Sequence, residues 1–86
     1  MNYKNLVDEL KQQTGNEREV CTDIVDAYEK YCTEEIKRPF QKEVDEKMID
    51  WVNESTGHDK DSVTDMLNTL IAIVRKEIKS KTAFMK

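Results

Sequence analysis

Residues 6–38 of this chain align with residues 48–80 without a gap, at a constant offset of 42. Leu6-Val7-Asp8 matches Met48-Ile49-Asp50, Thr14-Gly15 matches Thr56-Gly57, Thr22-Asp23 matches Thr64-Asp65, and Glu35-Ile36-Lys37 matches Glu77-Ile78-Lys79. A repeat of this length is one supersecondary unit used twice, with neither copy able to bury its apolar face alone. The chain is 86 residues long, which makes one small domain. A domain of this size buries only about 60–65% of the surface its unfolded chain exposes, so a protein partner or self-association would add to a marginal stability.

The apolar residues recur every three or four positions, which is a helical period and not a strand's alternation. Glycine and proline together number only three, and charged residues make up 37%, a composition that favours helix. Four helices are expected. The first runs from Tyr3 to Gln13 with Leu6, Val7 and Leu10 on one face. Gly15 follows it as a left-handed terminator. The second opens at Asn16 or Glu17 and runs to about Arg38 on the stripe Cys21, Ile24, Val25, Tyr28, Tyr31, Cys32 and Ile36, and Asn16 with Glu19 has the spacing of a capping box. Pro39 ends it, because proline disfavours helix in the residue before it.

The third helix is expected from about Gln41, with Phe40, Val44, Met48, Ile49, Trp51 and Val52 as its stripe. Gly57 repeats the role of Gly15, and Asp59 caps the fourth helix. That helix carries Val63, Met66, Leu67, Leu70, Ile71, Ala72, Ile73, Val74 and Ile78. The expected fold is therefore all-α. It is one domain over residues 1–86, built from hairpin repeats 3–38 and 41–80 joined at Pro39, with a frayed tail over 82–86. Packing the two apolar stripes together gives a four-helix core.

The net charge is −4. Residues 1–74 carry nine basic and seventeen acidic side chains, a balance of −8, while Arg75, Lys76, Lys79, Lys81 and Lys86 against Glu77 give the last segment +4. The basic segment reads either as a solvated helix end or as a patch for nucleic acid or an acidic partner. The acidic body argues against broad nucleic-acid binding, where affinity comes mainly from neutralising phosphates. No stretch approaches the roughly 18 apolar residues of a membrane span. The start, Met-Asn-Tyr-Lys-Asn, has no signal-peptide apolar core, so a cytoplasmic location is expected and the sequon at Asn53 carries no weight.

No catalytic constellation is legible. His58 is the single histidine and reads as a solvated turn residue. Cys21, Cys32 and His58 lack the paired short spacing of a zinc site. Asp59, Asp61 and Asp65 fail as a calcium loop, since Val63 stands where a ligand and Thr64 where a glycine would be needed. The two cysteines are 11 positions apart on one expected helix, about 16 Å along its axis. That is too far for the Cα separation of about 7 Å that a disulfide allows, so both read as buried thiols. No cofactor, metal or small-molecule substrate is expected, and no enzymatic activity. Trp51 stands where the first copy has Glu9. It reads as a core or edge residue, with an interface hot spot as the alternative.

The segment Met1-Asn2 with Leu6-Val7, Thr14-Gly15, Val25-Asp26-Ala27 and Ile36 resembles the N-terminal helical hairpin of the HU/IHF bacterial histone-like proteins. Thr56-Gly57 with Val63, Met66-Leu67, Leu70, Val74 and Ile78 is similar in the same way. In that family the short helix, Thr-Gly turn and long helix form the dimerisation body. The resemblance implies a bacterial or phage protein whose two fused hairpins stand in for that dimer's helical half. The family's helices lead into a β-sheet and two basic arms that grip the minor groove, and nothing in this chain corresponds to those arms. Two functions follow as expectations. One is a protein-interaction module that pairs with, or antagonises, a histone-like protein. The other is a small DNA-associated accessory using Arg75, Lys76, Lys79 and Lys81 on phosphates.

Overall fold

The computed structural model describes residues 3–37, 41 and 43–84, with side chains over 5–37, 41 and 43–77. These residues form an all-α structure of four helices: α1 (Tyr3–Thr14), α2 (Arg18–Glu34), α3 (Glu46–Thr56) and α4 (Lys60–Phe84). The order is short, long, short, long.

Both short helices end on the same device. Gly15 and Gly57 take φ of +73° and +74°, a left-handed conformation that costs a residue with a Cβ about 1–2 kcal/mol. A Cβ at either glycine would meet nothing within 4 Å, so backbone conformation and not space selects glycine here. The Gly15 N–H donates to the Lys11 carbonyl at 2.8 Å and the Gly57 N–H to that of Asn53 at 2.9 Å. The preceding threonines also match. Thr14 Oγ1 donates to the Leu10 carbonyl at 2.7 Å and Thr56 Oγ1 to that of Val52 at 2.8 Å. Each hydroxyl oxygen in turn accepts the N–H two residues on, from Asn16 and His58, at 3.3 Å. The repeat even extends to its surface ion pairs, Asp8 with Arg18 and Asp50 with Lys60.

The helix starts differ. Asp59 Oδ2 accepts the N–H groups of Asp61 and Ser62 at 3.1 and 3.4 Å, the expected cap. The expected box between Asn16 and Glu19 does not form: α2 is capped at Glu17 with no side-chain hydrogen bond. Asn16 sits one residue too early, because the glycine turn holds its N–H on Thr14.

The expected helix limits around the linker also move inward. α2 stops at Glu34, with Glu35 and Ile36 both donating to the Tyr31 carbonyl at 2.9 and 3.3 Å, and Lys37 takes a positive φ of +53°. α3 starts at Glu46 and not near Gln41, capped by Asp45, whose Oδ1 accepts the Met48 N–H at 2.8 Å. Tertiary contact decides this. The Tyr28 hydroxyl accepts the Gln41 N–H at 2.9 Å and donates to the Gln41 carbonyl at 3.0 Å, which diverts that backbone from helical bonding. Pro39 and Phe40 lie outside the described residues. At the other end α4 is helical to Phe84, so the expected frayed tail does not begin at 82; Met85 and Lys86 lie outside the described residues.

One apolar core runs through all four helices. Leu6, Val7 and Leu10 come from α1; Cys21, Ile24, Val25, Ala27, Tyr28, Tyr31 and Cys32 from α2; Met48 and Val52 from α3; Val63, Met66, Leu67, Leu70, Ile71, Ile73 and Val74 from α4. Ala72, expected on the apolar side of α4, is exposed. No polar or charged residue among the described residues is buried. α1 packs on α2 and α4, α3 packs on α2 and α4, α2 touches α4, and α1 does not meet α3. Each short helix thus lies against both long ones.

Candidate interaction surface between α2 and α3

This packing sorts the charge. α2 carries two basic and five acidic residues and α3 one and three, while α1 carries two of each and α4 five and three. The paired helices α2 and α3 therefore sum to −5 and the paired helices α1 and α4 to +2. The basic surplus of α1 and α4 comes from residues 75–84, Arg75, Lys76, Lys79 and Lys81 against Glu77; without them the pair sums to −1, still far less acidic than α2 with α3.

Polar contacts join α2 to the second hairpin at both ends of the acidic seam. At one end Trp51, partly buried against the core, donates its Nε1–H to Glu35 Oε1 at 3.1 Å. Its ring meets that of Tyr31 edge-on, with centroids 5.8 Å apart and an interplanar angle of 64°, a favoured aromatic geometry. Burial raises the Tyr31 phenol, and the charges of Asp45 and Glu35 raise it further. Trp51 is thus an edge residue with a fixed orientation.

At the other end, His58 is not the solvated turn residue its sequence position suggests. It is partly buried, and its Nε2 lies 3.1 Å from Asp23 Oδ2 on α2. Asn53 Nδ2 donates to the His58 carbonyl and fixes the turn. An open cleft beside this contact is lined by Asp23, Asp26, Ala27 and Lys30 of α2 and by Ser55 and Thr56 of α3. Desolvation and then the Asp26 charge raise the Glu29 carboxyl above its ordinary value. In the first hairpin Asn16 occupies the position of His58, Glu9 that of Trp51, and Gln13 that of Ser55.

The remaining reactive groups serve packing. Cys21 and Cys32 are unpaired and buried, and burial raises both thiols. A raised thiol is a poor nucleophile at neutral pH. Burial likewise raises the Tyr28 phenol, which clasps Gln41. No group of three or more His, Cys, Asp or Glu among the described residues could hold a metal ion. No helix there is long and apolar enough to cross a membrane.

Of the basic residues singled out from the sequence, Arg75 and Lys76 are exposed on α4. Lys79 and Lys81 lie on the same helix, with side chains outside the described set. Gly15 and Gly57 hold the two turns. Sequence reasoning missed the Tyr28–Gln41 clasp, the His58–Asp23 contact and the acidic layer. Summing charge helix by helix was open to it, but which helices adjoin was not. Comparison with family models, with curated proteins and with solved structures finds no match to this chain.

Proposed function

We propose that this protein is a non-enzymatic helical interaction module whose partner is a basic, DNA-binding protein of the histone-like kind, which it pairs with or holds away from DNA. The observation that carries the reading is the acidic surplus of α2 and α3, at −5 against −1 for α1 with residues 60–74 of α4. A surface of one sign attracts and orients a partner of the other and repels like-charged nucleic acid. The sequence resemblance of each hairpin to the helical half of HU/IHF proteins supports the choice of partner.

The test is competition. A fluorescent duplex of about 30 base pairs is followed by anisotropy, first with this protein alone and then with the duplex preloaded with a purified histone-like protein. The expected result is no binding at low salt by this protein alone, and release of the duplex from the histone-like protein as this one is added. Absence of release, with no complex on size exclusion, would sink the reading.

A second reading rests on Arg75 and Lys76, exposed on the one helix with a basic surplus. There the protein is a DNA-associated accessory. It predicts direct duplex binding that weakens steeply with salt and falls when Arg75, Lys76, Lys79 and Lys81 are all changed to Gln.

A further inference from the structure

The two hairpins match at buried positions and in their turns, so a difference between them on the surface marks what one half does and the other does not. The largest such difference is Trp51. Its counterpart Glu9 shows that the packing of a short helix between two long ones needs no aromatic ring there. Trp51 keeps part of its indole at the surface, while its N–H is tied to Glu35 and its ring to Tyr31. An aromatic side chain held in one orientation has little rotamer freedom left to lose on binding. Its setting is anionic: Glu35 is bonded to it and Asp45 caps the same helix, while Asp50, which precedes it, is paired with Lys60.

A partly exposed indole with carboxylates at its edge has the chemistry of a cation receptor, because the ring face attracts a guanidinium or ammonium and the carboxylates complete its charge. We infer that the Trp51–Glu35 corner of the α2–α3 layer docks an arginine or lysine side chain presented by a basic polypeptide. This rests on the reading of the acidic layer as a surface for a basic protein. It adds the residue on which that protein is anchored. The cleft at the other end of the seam lacks such an aromatic group, and so does the α1–α4 layer at the equivalent position, Glu9.

Trp51 is the single tryptophan of the chain, so its fluorescence reports the site directly. The probe is a labelled 12-residue peptide alternating Arg and Gly, titrated at low salt with the tryptophan emission and the label's anisotropy followed together. Saturable change in both signals is expected. Trp51→Leu should weaken peptide binding about fivefold and Trp51→Phe should restore part of it, as loss and partial return of a cation–π contact require. Glu35→Gln should weaken it about threefold, while Glu9→Gln on α1 and Glu19→Gln, at the opposite end of α2 from Glu35, leave it within error. Circular dichroism melts accompany each variant, and Glu35→Gln, on an exposed side chain, keeps the test open should Trp51→Leu unfold. If the peptide binds but Trp51→Leu, Glu35→Gln and Glu19→Gln all reduce binding alike, the corner is not the anchor and the acidic-layer reading survives. If no variant and no wild-type protein binds the peptide at low salt, both readings fall.

Discussion

At the offset of 42, Leu10 and Val52, Cys21 and Val63, Ile24 and Met66, Tyr28 and Leu70, and Cys32 and Val74 are buried in pairs. The same offset relates the glycine turns, the threonine hydroxyl bonds and the exposed Asp–Arg and Asp–Lys pairs. The hairpins differ at the seam between α2 and α3, where only the second supplies a tryptophan and a histidine to its neighbour. Their long helices differ as well: α2 has 17 residues and α4 has 25, an excess of about 12 Å at 1.5 Å per residue. The two short-long helix pairs thus agree where packing sets the side chain. They differ at the partly exposed Trp51 and His58.

The comparison can be broken most forcefully at Tyr28. Tyr28→Leu installs the residue its counterpart position already holds, yet it should cost about 2–4 kcal/mol, from lost volume and an unpaired Gln41 backbone. Urea melts check it, and a neutral result would mean that the clasp on Gln41 does not hold the linker. Next in size are the turns. Gly15→Val and Gly57→Val should each cost about 1–2 kcal/mol, and by similar amounts, since their φ angles agree within a degree. A large inequality in denaturant midpoints would show that the two turns are not interchangeable.

A smaller effect sharpens the comparison through pH. Burial favours the protonated thiols of Cys21 and Cys32 in the folded state. Their contribution is therefore complete below the ordinary thiol value of 9.0 and is lost as pH rises past it. The unfolded chain ionises there first. The double variant Cys21→Val, Cys32→Val, which copies the second hairpin, should match the parent within about 1 kcal/mol at pH 7. It should lose less stability than the parent between pH 8 and 10. Equal losses in urea melts at both pH values would show that the thiols do not carry the difference. Smallest are the repeated ion pairs. Asp8→Asn and Asp50→Asn should each cost no more than about 0.5 kcal/mol, because both pairs are more than a third exposed, and 0.5 M salt should erase even that.

Much of the architecture was legible along the chain. The period of the stripes predicted helices, the two glycines marked where the short helices stop, and Asp59 marked where α4 begins. Those signals are local: a left-handed residue, a cap and a periodic face are set within a few positions of sequence. The limits of α2 and α3 were not legible, because a tyrosine hydroxyl 13 residues away competes for the backbone of Gln41. The site was visible in part. Trp51 stood out as the break in the repeat, but His58 gave no sign of its partner, since Asp23 lies 35 residues off.

By itself, then, the sequence determined the helical class, most of the core faces and the turn residues, all consequences of periodicity and backbone conformation. The tertiary structure decided which helices adjoin. By setting α3 on α2, it brought together the two helices with the largest acidic surplus, with Trp51 bonded to Glu35 where they meet. Charge adds up by distance in space, and only the packing of the apolar faces sets that distance.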